Sequence, residues 1–255
     1  MKLSLCIATY NEESFIHYPL DSSYDFVDEV IVVDGSSTDR TVEKAKSYGD
    51  KVKVFVENNP PMFHINKQRA ISKATGEWIL QLDADEEVTP ELKGEILDVI
   101  SGGGDRKTVA YWIPRKNYFL GRFLTKGGVY PDYTVRLYKK GVAHFPCKSV
   151  HENVEVDGAT GYLKNDLLHY ADPSFDRYLK RWKRYTTLDA KLLKENKEKP
   201  DFLSYIFFKP IGWFFSAYGR HKGFLDGWQG FVFAFMSSIR FWRIYIEYLR
   251  LRSRS

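Results

Sequence analysis

Short apolar strands alternate with helical segments through the first hundred residues, and this alternation constrains the fold more than any other feature. Leu3–Ala8, Glu29–Val33, Val52–Val56 and Trp78–Leu82 read as strands. Thr38–Ser47, Ile65–Ala74 and Pro90–Ile100 read as helices, with Gly76 placed as the glycine that closes the second. Strands that are apolar throughout are buried on both faces, so the expectation is parallel βαβ units in a sheet covered by helices on each side. After the loop Ser101-Gly102-Gly103-Gly104-Asp105 the pattern changes. Val109–Pro114, Thr134–Lys139, Val150–Val156 and Leu163–His169 read as strands joined by turns containing glycine and proline, an added mixed or antiparallel section. A charged helix follows over Ser174–Lys197, and from Phe202 the chain turns aromatic and basic.

In an open parallel sheet, ligands bind outside the carboxyl ends of the strands. Three of the strands end in polar groups: Thr9-Tyr10-Asn11-Glu12, Asp34-Gly35-Ser36-Ser37 and Asp83-Ala84-Asp85. Asp83 and Asp85, two residues apart just beyond an apolar strand, face one side if the chain stays extended there. Glu86 and Glu87 bring the run to four acids in five residues, which repel one another unless a cation is present. Mg2+ and Mn2+ prefer oxygen ligands and use one or two carboxylates together with substrate phosphates. The plain alternative is that these acids suit the dipole of the helix beginning at Pro90. Asp34 can accept hydrogen bonds from a uracil-like base or a ribose, while Ser36, Ser37 or Thr38 caps the helix that follows; ordinary turn chemistry is the other reading. Asn66, Lys67 and Arg69 lie on the helix before the Asp83 strand, where one or two can reach donor phosphates or simply form a solvated face.

The chain has 255 residues, enough for one domain or two, and a net charge of +5. That charge is uneven: Tyr170–Ser255 carries +9, leaving −4 for the remainder, so the basic third calls for an anionic partner. The two cysteines, Cys6 and Cys147, form no CxxC pair, which fits a reduced cytosolic setting without a zinc site. The N-terminus is not expected to be a signal peptide, and no uncharged apolar run is long enough to predict a spanning helix.

The set SLCIATYNEE, IVVDGSSTDRT and NKQRAISKATGEWILQLDADEEVTPEL resembles family 2 glycosyltransferases of the GT-A fold. The continuation GGVYPDYTVRLYKKG, VHENVEVDG and LLHY resembles the subgroup that includes lipopolysaccharide-core glucosyltransferases. The resemblance implies an α/β, Rossmann-like, mostly parallel sheet flanked by helices. The catalytic domain would span 1–170, with a nucleotide-binding half at 1–100 and an acceptor half at 105–170, followed by a helical extension over 171–255. It also implies roles. Thr9, Asn11 and Glu12 would line the nucleotide pocket, and Asp34, with Gly35 beside it, would bind the base, usually uracil. Asp83, with Ala84, would meet ribose or metal, and Asp85 would coordinate the metal. Family members of this type invert the anomeric centre and need a carboxylate as general base. Relatives often carry it in a Glu-Asp pair beyond the DxD motif, a pair this chain lacks there; Glu152 and Asp132 are the candidates. His169, or His151 in its place, would help hold metal or diphosphate. Arg136 is a further phosphate candidate, and Gly127-Gly128 would let the backbone approach the donor sugar.

The 47 residues from Phe202 to Tyr248 hold 17 of the chain's aromatics, interleaved with Lys209, Arg220, Lys222, Arg240 and Arg243. Phe231–Tyr248 reads as one amphipathic helix. Rings with cations suit a membrane interface; a core helix pair or an oligomer interface is the plain alternative, and nucleic acid leaves the acidic strand ends unexplained. The resemblance, taken with this segment, implies a metal-dependent inverting hexosyltransferase at the cytosolic membrane face. It would use a nucleotide sugar, UDP-linked by expectation, and a cell-envelope glycan or lipid-linked acceptor. Transfer to a polyprenyl phosphate, which needs no base, is a second reading, and a nucleotide-sugar-binding protein without turnover a third. A nucleotidyltransferase is disfavoured because no glycine-rich phosphate loop stands near the N-terminus.

Overall fold

The computed structural model describes residues 2–60, 62–105, 107–147 and 154–253. The chain divides into two compact units, one formed by residues 1–115 and 132–169, the other by 116–131 and 170–255.

In the first unit, β1 (Leu3–Thr9), β2 (Glu29–Asp34), β3 (Val52–Val56) and β4 (Trp78–Asp83) are parallel neighbours, with β1 between β2 and β4. The full strand order is β3-β2-β1-β4-β8-β6-β12-β5. The added strands are β5 (Glu86–Val88), β6 (Thr108–Phe119), β8 (Asp132–Lys139) and β12 (Leu167–Asp172). Strand β8 runs antiparallel to both β4 and β6. A short strand β11 (Ala159–Tyr162) joins the edge of β6 in parallel, β7 (Arg122–Phe123) folds back antiparallel on the end of β6, and β9 (Ala143–His144) pairs with β10 (Glu155–Val156) apart from the main sheet.

Every residue of β2 is buried, as a strand covered on both faces must be. Alternation sorts the core into two layers. Leu3, Leu5, Ile7, Val30, Val32, Leu80 and Leu82 face one way, together with Leu20 of α1 (His17–Ser23), Ala45 of α2 (Thr41–Lys46) and Leu92 and Ile96 of α4 (Pro90–Asp98). Cys6, Ile31, Val33 and Ile79 face the other, against Ala70 and Ile71 of α3 (His64–Lys73). Glu29 ties the amino-terminal edge together: its buried carboxylate accepts from Ser4 Oγ at 2.6 Å and from the N–H and O–H of Thr75 at 2.6 and 2.7 Å, and it pairs with Lys53.

Gly76 does not serve as the helix-closing glycine. Helix α3 ends at Lys73 with Ala74 extended, and Gly76 is instead where the chain passes β1: its N–H donates to Ser4 Oγ at 2.8 Å, and a Cβ there would stand 2.6 Å from that oxygen. The predicted strand over Val150–Val156 falls partly on residues outside the described ones, and α1, β5 and β11 were not foreseen because each is too short to show a period.

The second unit is built on α5 (Phe175–Glu195) and α7 (Gly227–Ser253). Between them an almost continuous helical stretch contains α6 (Lys209–Phe214) between two π-helical turns, Ser204–Phe208 and Phe215–Arg220. Ser174 caps α5 by accepting the Arg177 N–H. Phe119, Leu124, Tyr178 and Met236 form one small core, and Ala190, Tyr205, Ile244 and Tyr248 a second. Trp182 Nε1 donates to the Met236 carbonyl at 3.1 Å and keeps its polar edge satisfied within the packing, while the more exposed Trp242 donates to the Ile206 carbonyl at 2.8 Å. Part of Phe231–Tyr248 is thus ordinary helix-pair core, with α7 burying Ala234, Ser238, Ile244 and Tyr248.

Candidate active site

The three polar strand ends emerge side by side, because Thr9 lies in register with Asp34 on one flank of β1 while Ala8 lies in register with Asp83 on the other. The first two turns are stitched to each other. Asn11 takes a left-handed backbone with φ 55°, donates its N–H to the Ser37 hydroxyl oxygen (2.8 Å), and accepts at its own Oδ1 the N–H of Thr38 (2.8 Å). The Glu12 N–H donates to Thr41 Oγ1 at 2.9 Å. Asp34 is fully buried, and its two oxygens accept the N–H and the O–H of Ser37 at 2.7 and 2.5 Å. This reverses the expected capping: Ser37 serves Asp34, and α2 starts later, at Thr41, whose N–H goes to Asp39 at 3.0 Å. Gly35 sits where a Cβ would press on Asn59 at 3.2 Å. Thr9 Oγ1 is buried and has no hydrogen-bond partner among the described residues, an orphan polar atom at the junction of the turns.

The third turn departs from the expected extended geometry. Ala84 and Asp85 form a tight turn between β4 and β5, so the two aspartates serve different neighbours. Asp83 pairs with Lys67 through one oxygen and with Arg136 through the other, the latter at 2.6 Å. Arg136 also donates to Gln81 at 2.6 Å and to Glu86 at 2.8 Å. Glu86, fully buried, takes Arg115 at 3.1 Å, and Arg115 in turn grips Asp132 at 2.7 Å. The backbone N–H of Asp83 closes the turn on Glu86 Oε2 at 2.9 Å. Within the acidic run, Asp83 and Glu86 therefore meet counter-charges from the protein itself: Lys67 on α3, Arg115 on β6 and Arg136 on β8. Burial opposes ionisation of Asp83, and the charges of Arg136 and Lys67 overcome it, holding its carboxyl well below the usual carboxylate range. Burial pulls Lys67 below the ordinary lysine value against the restoring pull of Asp83. For Arg136 burial works in the same discharging direction, and Asp83 and Glu86 outweigh it, so its affinity for the proton rises.

Asp85 meets a different strand. Its Oδ1 lies 3.5 Å from His169 Nε2, both side chains being mostly enclosed yet still reached by solvent. The meeting is made by the sheet, since β12 pairs antiparallel with β5 and puts His169 opposite Glu86. A carboxylate oxygen and an imidazole nitrogen at this separation fit two ligands of one Mn2+ or Mg2+ ion. Among the described residues no group of three or more His, Cys, Asp or Glu side chains is gathered for a metal.

The other expected residues are dispersed. Arg69 is held by Asn58 at 2.6 Å and Asn66 at 2.9 Å and lines a shallow cavity of about 350 Å3 with Ile65, Gln68, Ser72, Lys73 and Cys147. Gly127 and Gly128 belong to the second unit, where Gly128 backs onto His221. Glu152 and His151 lie outside the described residues. Missed altogether were Gln81 and Arg115; the one signal was polar side chains inside otherwise apolar strands, as in WILQLD and TVAYWIPRKNYF.

The sequence model of Glycosyl transferase family 2 matches residues 4–151. An uncharacterized glycosyltransferase of Rickettsia typhi is 32% identical, the alignment covering 100% of this chain and 89% of the relative. The chain belongs to glycosyltransferase family 2. Rhizobium meliloti LpsC, a lipopolysaccharide core biosynthesis glycosyltransferase, is 27% identical over 95% of this chain and 93% of its own length. Among solved structures, the mannosyltransferase PcManGT of Pyrobaculum calidifontis, in complex with GDP-Man and Mn2+, superposes with a TM-score of 0.56 at 14% identity, covering 97% of this chain and 87% of that one. S. aureus TarS 1-349 in complex with UDP-GlcNAc gives 0.51 at 17% identity, covering 100% and 93%. The fold of this family member is GT-A, with the curled, mostly parallel sheet and flanking helices expected of it.

Proposed function

We propose that this chain is a metal-assisted, inverting hexosyltransferase that moves a sugar from a UDP-sugar to a cell-envelope glycan or lipid-linked acceptor at the membrane surface. The observation that carries the reading is the turn at Asp83-Ala84-Asp85, where one aspartate is locked to Lys67 and Arg136 and the other faces His169 at 3.5 Å. The name of the Rhizobium relative supports the envelope acceptor, and the nucleotide sugars named with the solved structures support the donor class.

Asp34, Gly35, Thr9, Asn11 and Glu12 form the base and ribose end of the donor site, with the orphan Thr9 hydroxyl available to a donor group. Asp83, kept ionised by two cations, retains further lone pairs for a ribose hydroxyl even while both oxygens are engaged. Asp85 and His169 would hold the divalent cation, which would supply Lewis-acid chemistry at the departing diphosphate. Lys67, as it is seated, acts on the donor through Asp83 and not by direct contact. Of the two base candidates, Asp132 has its Oδ2 taken by two hydrogen bonds from Arg115. Glu152 is therefore the residue assigned to take the acceptor hydroxyl's proton while the sugar inverts.

Thermal unfolding with UDP and Mn2+ tests the site. Stabilisation of the parent chain, about 2.7 kcal/mol at a hundredfold excess over Kd, should vanish in Asp85→Ala; stabilisation that persists in the variant sinks the assignment. Turnover of a panel of nucleotide sugars by Glu152→Gln then separates a hydroxyl acceptor from an anionic one, since only the hydroxyl needs the base.

A further inference from the structure

The second unit carries many of its largest apolar side chains on the outside. The helical stretch from Phe202 to Arg220 buries Tyr205, Pro210 and Ala217 and turns Phe208, Ile211 and Phe215 outward, a spacing of i, i+3 and i+7. Phe208 is 71% exposed, Phe215 67%, and Trp228 in the first turn of α7 60%. From Phe202 to Leu225 the sequence has Lys209, Arg220 and Lys222 and no acidic residue. The single acid between Phe202 and Ile246 is Asp226, and it is turned inward at 2% exposure, accepting the N–H groups of Thr125 and Lys126 at 3.0 and 2.7 Å. Lys209 lies over the Tyr205 ring at 3.7 Å, which keeps its charge at the base of the apolar face.

Exposed rings among cations, with the single acid inside the segment hidden, select the occupant. A two-fold contact with a second copy would set Lys209, Arg220 and Lys222 against themselves with no exposed acid in the stretch to answer them. A bilayer containing anionic lipid supplies both the apolar phase for the rings and the counter-charge for the cations. Among the described residues no helix is long and apolar enough to cross a membrane, so such a surface dips into one leaflet. We propose that the segment 202–228 is a monotopic insertion surface for anionic lipid bilayers. This deepens the membrane part of the reading above and is independent of its donor chemistry.

Flotation of the full chain with vesicles tests it, using phosphatidylcholine alone against phosphatidylcholine mixed with phosphatidylglycerol. The parent should float with the anionic vesicles and not with the neutral ones, and added salt should weaken it. The double variant Phe208→Ser/Phe215→Ser should lose about tenfold in binding, and Lys209→Glu/Lys222→Glu should lose the preference for anionic lipid, both with unchanged circular dichroism and melting. No flotation with either lipid overturns the proposal, as does flotation that both variants leave intact. A dimer of the parent that the serine variant splits, seen by sedimentation, assigns the face to a second copy and overturns it equally. UDP binding in solution is expected to be the same in every variant, so a failed lipid result leaves the donor reading standing.

Discussion

Asp83 and Glu86 show how a dense run of acids persists on a fold. Residues three apart bring their carboxylates together around one guanidinium, Arg136, which is itself buried. Removing one partner from such a buried network leaves the others without compensation. Arg136→Leu should accordingly lower stability by about 3–5 kcal/mol. Lys67→Met should cost less, about 1–3 kcal/mol, because Arg136 still holds Asp83 and the Lys67 ammonium lies over the rings of Phe63 and Phe145, against which a methionine can pack. Urea unfolding of the two variants measures the order, and an equal or reversed order would show that the charges are better solvated than their enclosure implies.

At the scale of elements, the site depends on a strand pair with almost no sequence signature. β5 has three residues, yet its pairing with β12 is what sets His169 beside Asp85. In the second unit the comparable device is a close crossing. Gly230, in α7, lies so near the carbonyl of Gly223 that a Cβ would stand 1.9 Å from it, while Asp226 in the intervening turn caps the backbone of Thr125 and Lys126. Gly230→Ala should force the turn and α7 apart and cost about 1–3 kcal/mol as overpacking does, although alanine is the better helix former. A melting temperature equal to or above that of the parent would show that the turn yields freely.

Across the molecule, acid sensitivity follows from the carboxylates that hold the sheet together. Burial opposes ionisation of Glu29, but the hydrogen bonds from Ser4 and Thr75 and the pair with Lys53 bring its pKa from 4.5 down to about 2. A group whose folded value is depressed gives stability that is fully present above its unfolded value and is lost as pH falls toward the folded one. Glu29 therefore contributes about 3 kcal/mol above pH 4.5, fading as pH drops toward 2. Asp83 acts in the same direction. In Glu29→Gln the fall of stability between pH 5 and 3 should be shallower than in the parent, as measured by urea midpoints; an unchanged slope would assign the acid sensitivity to other carboxylates.

The amino-acid sequence by itself determined the parallel half of this protein. Inside EVIVVD the four residues Val30–Val33 are all apolar, so only a strand buried on both faces satisfies them, and strands so buried end where polar residues return, at Asp34 and Asp83. What the tertiary structure alone decided is how those polar residues are partnered. Lys67 reaches Asp83 from helix α3, while Arg115 and Arg136, on two strands distant in the chain, meet Glu86, Asp83 and Asp132 because antiparallel β8 is laid between β4 and β6. Pairing of this kind has no period to be read in advance, since it depends on which strands become neighbours and not on what any one of them contains.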